Sequence, residues 1–248
     1  MQNIVTTLVS AICGAMIAVA AVIVMTNAGL MPVNEAQLHG YLVTHPGLVA
    51  EMNDAAQRAE DARSAGAHAA TIKKVGLDAF FNPRIAFVTG PVNAPNTMVE
   101  FYDYDCPYCR ASLPAVKAAF EKHKNDTRFA FIEFPLDIHG PGAQLAARAS
   151  LAARAQPEKF LAFHYLMMGE TEQMTQDMIL ADAKKAGLDV KKLQADMANP
   201  EVTRMLADAR AFGKKVDLEG TPTFVINGVM YPQAMDDDAI AAAFKKAG

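Results

Sequence analysis

Residues 97–123 constrain the fold more than any other stretch of this chain. A short apolar run at 97–102 (TMVEFY) reads as a buried strand, and within a few residues the periodicity changes to that of a helix. That helix is predicted from Pro107 to about His123, with apolar positions at Leu113, Val116, Ala119 and Phe120. A strand running straight into a helix is the unit of a layered α/β domain. At the junction stands Cys106-Pro107-Tyr108-Cys109. The unpaired N–H groups and the positive dipole end of a helix favour a thiolate at its first residue, which is where Cys106 falls. Cys109 follows one turn later, within reach of a disulfide on Cys106, and Pro107 suits a first turn where its missing N–H is not needed.

Two other uses of the pair are weighed against redox chemistry. A zinc site needs two further ligands, and the six histidines are scattered, with no second C-x-x-C and no H-x3-H. Two cysteines of an ordinary core are the other alternative, set against the junction at which these two stand. With three cysteines in 248 residues, a disulfide-stapled scaffold is excluded. The 23 basic and 27 acidic side chains leave a net charge of -4, so there is no basic footprint and no nucleic-acid partner is expected.

Downstream, 128–134 (RFAFIEF) alternates as a strand does. Helical patterns then fill 143–154, Pro157–Met168, 174–186, Val190–Met197 and Pro200–Lys215. The end of the chain reads as strand Thr223–Ile226, an Asn227-Gly228 turn, strand Val229–Tyr231 and a helix from about Asp236. Upstream, turn residues at 82–83 and 89–96 bracket a short strand at 85–88.

The amino-terminal third has a different texture. Residues 4–25 carry no charge and are long enough to span a bilayer, which takes roughly 20 apolar residues. An uncleaved signal-anchor is the expectation, with cleavage at the poor 26–28 site as the alternative. Cys13 lies inside this segment behind the bulky Ile12 and reads as an apolar filler rather than a lipoprotein site. Either outcome places the rest of the chain outside the cytosol, where disulfides form. Within 29–79, Leu38, Tyr41 and Leu42 mark one face of a short helix, and a second helix is expected from Pro46. Leu48, Met52, Ala55, Ala59, Ala62, Gly66 and Ala69 then recur at heptad-like spacing. They form the seam of a self-associating stalk or one side of an alanine-rich surface helix.

The segments MVEFYDYDCPYCR, FIEFPL and GTPTFVING, with the helical insertion between the last two, resemble the DsbA-like thioredoxin-fold family. The likeness covers nearly all of the chain after the anchor. It is strongest to the ScsC (suppressor of copper sensitivity C) type, which carries an upstream element echoed by Tyr41-Leu42-Val43-Thr44-His45-Pro46. The resemblance implies an α/β thioredoxin domain at 80–248 with a helical insertion at 143–215, preceded by a signal or anchor (1–28) and a helical stalk (29–79). It makes Cys106 the exposed nucleophile and Cys109 the resolving thiol. Pro107, Tyr108 and the cis-proline loop at Thr221-Pro222 would meet the substrate. Glu100 matches a buried acid that exchanges protons with Cys109, the alternative being a strand-edge or salt-bridged carboxylate. Pro-Tyr between the cysteines, in place of the Pro-His of the strongest oxidants, argues against an extreme potential.

His164 is expected to be a packed or solvent-tipped structural residue. His139 reads as part of a flexible loop, and Asp103 and Asp105 as local charges that would raise the pKa of Cys106. The expected activity is thiol–disulfide exchange with unfolded or misfolded exported proteins, in oxidase or isomerase mode. The expected location is the periplasm, tethered through residues 4–25 to the inner membrane, with a membrane redox partner and stalk-mediated homo-oligomers. No cofactor or metal is implied. A peptide-binding holdase and a copper-handling protein are the competing expectations.

Overall fold

The computed structural model describes residues 35–246. The apolar segment 4–25, Cys13 and the 26–28 site lie outside the described residues. Among the described residues no helix is long and apolar enough to cross a membrane. The chain divides into two compact units, Met1–Asp61 and Ala62–Gly248.

In the first unit, helix α1 (Glu35–Thr44) is followed after His45 by helix α2 (Pro46–Val75), which continues into the second unit. Pro46 disfavours helical geometry at His45 and opens the next helix itself. His45 closes the turn, its N–H donating to Tyr41 O at 3.0 Å. All seven residues of the heptad-like seam, Leu48 through Ala69, are exposed. In α2 only His68 and Ile72 are buried.

The second unit is built on a five-stranded sheet in the order β1-β3-β2-β4-β5. The strands are β1 (Phe87–Thr89), β2 (Asn96–Tyr102), β3 (Thr127–Glu133), β4 (Thr223–Ile226) and β5 (Val229–Tyr231). β2 and β3 run parallel, joined by the crossover helix α3 (Pro107–His123), and the other pairs are antiparallel. Because successive side chains point to opposite faces, β2 feeds two cores. Met98 and Tyr102 join one with Phe129, Phe131, Phe224 and α3, and Val99 and Phe101 join the other with Ile132, Phe80 and Val225. Fully burying a side chain such as Phe101 stabilises by about 1.5–3 kcal/mol, so a central strand apolar on both faces anchors whatever follows it. Glu100 lies on the face of Met98 and Tyr102, between Phe131 of β3 and Phe224 of β4.

Between β3 and β4 come α4 (Gly140–Ala153), α5 (Pro157–Met168), α6 (Gln176–Lys185), α7 (Val190–Met197) and α8 (Pro200–Lys215). Their starts are set locally. Thr175, Asp189 and Asn199 cap α6, α7 and α8 by accepting from the N–H of Met178, Lys192 and Glu201. α9 (Asp237–Lys246) closes the chain, with the Asp236 carboxylate accepting from Ala239 N at 2.8 Å. The Asn227-Gly228 hairpin turn has positive φ at both positions, 48° and 82°, as a tight two-residue connection needs. One strand starts later than the apolar pattern suggested. Ile85 and Ala86 both donate to Asn82 O, closing a turn, so β1 begins only at Phe87.

Candidate active site

The buried β2 ends at Tyr102, and the chain turns through Asp103–Asp105 into α3. Cys106 is the N-cap of that helix, with extended backbone (φ −80°, ψ 117°), and Pro107 occupies the first turn. Both cysteines are free thiols. Cys106 is 2% exposed, so it is not the open nucleophile that the resemblance implied. The Thr221-Pro222 loop covers it, and the Cys106 thiol donates to Thr221 O at 3.2 Å. Thr221-Pro222 is a cis peptide, as the motif suggested, and Pro222 is buried at the head of β4. Pro107 and Tyr108 face water, Tyr108 with 66% of its surface exposed.

The two thiols differ sharply in acidity. Cys106 is lowered to about 6, chiefly by a hydrogen bond from the Cys109 thiol and further by the backbone N–H groups of Cys109 and Tyr108. Cys109 is fully buried and pushed well above the ordinary thiol range, first by burial and then by donating to Cys106. The hydrogen bond between the thiols and the deeper burial of Cys109 thus produce the asymmetry a stepwise exchange needs, with one sulfur ready as thiolate and the other holding its proton. Glu100 lies on the same side and raises Cys109 further. Its Oε2 has no hydrogen-bond partner among the described residues, and burial alone pushes the carboxyl to about 8. Glu100 sits on the central strand and makes no ion pair among the described residues, so the strand-edge and salt-bridged alternatives do not hold.

The structure also recruits residues that motif reading left as background. Asp103 is buried, and its carboxylate accepts from Asp105 N (2.9 Å), Leu136 N (2.8 Å) and His139 Nδ1 (2.6 Å). Asp105 accepts from Met174 N at 2.8 Å and from the Arg110 guanidinium at 3.0 Å. Arg110 also donates to the carbonyls of Tyr104, Thr171 and Glu172, tying the start of α3 to the segment before α6. The charge of these acids is therefore spent on holding the turn, and Cys106 remains acidic beside them. Behind the turn, the Tyr104 hydroxyl meets Ser150 Oγ (2.9 Å) and His164 Nδ1 (2.9 Å), while Glu133 accepts from Tyr102, Ser150 and Arg154. His164 is fully buried, and burial lowers it to about 3, so it serves as a neutral hydrogen-bond partner. No cluster of three or more potential metal-ligating acids, histidines or cysteines occurs among the described residues.

A family model described as Thioredoxin matches residues 85–246. Among solved structures, a thioredoxin-like oxidoreductase from Silicibacter pomeroyi DSS-3 is 36% identical with a TM-score of 0.62, covering 69% of this chain and 97% of its own. Proteus mirabilis ScsC in a transitional conformation is 25% identical with a TM-score of 0.61, covering 89% of this chain and 98% of its own. Among curated proteins, the Na(+)/H(+) antiporter NhaA 3 of Salinispora tropica is 31% identical over 161 residues, 64% of this chain and 24% of that protein. The chain thus spans about a quarter of the length of the curated relatives it matches.

Proposed function

We propose, from the premise that this chain belongs to the DsbA-like thioredoxin-fold family and lies close to ScsC, that it exchanges disulfides with exported proteins through Cys106 and Cys109. The observation that carries the reading is the pair of thiols of opposite acidity at the start of α3, facing the Thr221-Pro222 loop.

In the reduced enzyme, the Cys106 thiolate attacks a sulfur of the substrate disulfide. A Cys106–substrate disulfide forms, the substrate's own disulfide breaks, and its departing sulfur leaves as a thiolate that takes a proton from water. Cys109 then loses its proton, which Glu100 takes where its carboxyl is ionised, and attacks the Cys106 sulfur. The mixed disulfide breaks, the electron pair leaves with the substrate thiolate, and the enzyme is left as the Cys106–Cys109 disulfide. Run in reverse, the oxidised enzyme delivers a disulfide to a substrate dithiol. Tyr108 and Pro107, both exposed, and the backbone of Thr221 form the surface against which an extended substrate lies.

Reshuffling of wrong disulfides is the favoured mode, supported by the exposed apolar residues of α1 and α2 that suit association of several copies. Those copies would place several thiol pairs around one client. Residues 4–25 support export to the periplasm and tethering to the inner membrane, with a membrane protein resetting the redox state. Insulin reduction and the refolding of scrambled ribonuclease test the reading. Both activities are expected in the full chain and lost in Cys106→Ser, while Cys109→Ser accumulates mixed disulfide. Full activity in Cys106→Ser would overturn the assignment. Alkylation trapping in intact cells separates the modes, since a mostly reduced pair marks an isomerase and a mostly oxidised pair an oxidase.

A further inference from the structure

One residue, Asp103, touches both cysteines through its backbone. Its carbonyl accepts from Cys106 N at 3.2 Å, and its own N–H donates to the Cys109 sulfur at 3.5 Å. Where Asp103 sits therefore decides how well that N–H meets Cys109. Its carboxylate is completely buried, and a buried charge is tolerated only when donors surround it. Two of the three donors are backbone N–H groups, those of Asp105 and Leu136, and the third is His139 Nδ1, at the shortest distance, 2.6 Å. His139 stands on the 3-10 turn Asp137–His139, which is itself fixed from α8. Arg210 reaches Pro135 O at 2.7 Å and the Asp137 carboxylate at 2.6 Å. The imidazole is thus held on a braced turn and aimed at the one carboxylate whose backbone contacts the resolving thiol.

We propose that His139 is a positioning residue for disulfide exchange: through Asp103 it keeps the Asp103 N–H on the Cys109 sulfur while the mixed disulfide is resolved. This rests on the exchange reading above. When Cys109 becomes the attacking thiolate, the N–H supports the charge on its sulfur. As the Cys106–Cys109 disulfide forms and the Cys106–substrate bond breaks, that charge passes to the departing substrate thiolate. Attack by Cys106 on the substrate does not use this contact. The two half-reactions should therefore respond differently to loss of His139.

The test is stopped-flow exchange of the full reduced chain with a disulfide peptide, quenched in acid so that mixed disulfide and released product are counted separately. His139→Ala is expected to leave the attack rate unchanged and to slow resolution roughly five- to tenfold, the effect of losing one ordinary hydrogen bond. His139→Asn, whose side-chain amide offers a donor near the place of Nδ1, is expected to restore it. His139→Leu fills the space without a donor and should behave like alanine, which keeps the comparison usable if the alanine variant folds poorly. Resolution at the wild-type rate in both His139→Ala and His139→Leu overturns the proposal. So does an equal loss of both half-reactions that Asn does not rescue. Failure of the wild-type chain to form any mixed disulfide would instead count against the exchange reading itself.

Discussion

At the scale of single residues, the chemistry depends on three ionisable groups held away from their ordinary values. Cys106, lowered to about 6, should show thiolate absorbance near 240 nm that titrates with a midpoint close to pH 6 and is absent in Cys106→Ser. Its folded value lies below its unfolded one, so its contribution to the stability of the reduced protein is present above the unfolded value and lost as pH falls through about 6. The attack rate should plateau above that pH and fall tenfold per unit below it. Glu100 has the opposite sign. Its folded value of about 8 exceeds its unfolded one, so the folded state prefers the protonated carboxyl. Stability should fall as pH rises from about 4.5 towards 8, because ionising Glu100 without a partner is costly. Glu100→Gln should remove this slope and be more stable than the wild type by up to about 4 kcal/mol at pH 7.5, with little difference at pH 4. Urea denaturation at the two pH values measures it, and equal slopes in both proteins would mean that Glu100 is not the titrating group. The same variant should resolve mixed disulfides more slowly above about pH 8, where the wild-type carboxyl is ionised and can take the Cys109 proton.

At the scale of elements, the helical insertion does more than cover the sheet. It reaches back to the active-site turn through Gly142 at the start of α4 and Met174 before α6. A Cβ on Gly142 would lie 2.5 Å from Met174 O and 2.8 Å from the Asp105 carboxylate. Gly142→Ala should therefore push apart the Met174–Asp105 contact and destabilise by about 1–3 kcal/mol. Gly66→Ala, on the exposed part of α2 with nothing within 4 Å, should be stabilising by about 0.5–1 kcal/mol. Thermal melting of both variants decides whether the first effect comes from the contact rather than from losing a glycine. These elements were largely readable from the chain, because period and punctuation are local. α3, α5, α7 and α8 match their sequence patterns, and Thr175, Asp189 and Asn199 cap where their side chains can. The apolar pattern places the start of β1 too early, because apolar character alone does not distinguish Ile85 and Ala86, held in a turn, from the strand beyond them. In the site, Cys106, Cys109, Thr221 and Pro222 announce themselves as short motifs. The Asp103–His139 pair spans 36 positions and Tyr104–His164 spans 60, and polar pairs at such separations leave no periodic trace. The signal that existed was an acid beside the motif, which sequence treated as a free charge rather than a brace.

At the scale of the whole molecule, the open question is how many copies act together. Leu38, Tyr41 and Val43 on α1, and Leu48, Val49 and Met52 on α2, are all large apolar side chains left exposed. Six within so short a stretch form a surface more apolar than scattered residues on a monomer would. The seam continues as Ala55, Ala59, Ala62, Gly66 and Ala69, small enough for backbones to approach closely. Association through this surface would raise the local concentration of thiol pairs around one client. A second enzyme could then attack a disulfide exposed while the first is still attached. Reduction of a small peptide needs one pair and gains nothing from neighbours, whereas reshuffling several disulfides in one chain does. The double variant Leu48→Glu, Met52→Glu places charge on the seam and leaves the 62–248 unit untouched. Native mass measurement should find the wild type as an oligomer and this variant as a monomer. Its insulin reduction should stay within about twofold of wild type, while recovery of scrambled ribonuclease falls at least about fivefold, as expected when intramolecular presentation is lost. A monomeric wild type at tens of micromolar, or undiminished reshuffling by the monomeric variant, would separate exchange from association and point to a chain that works alone as an oxidase.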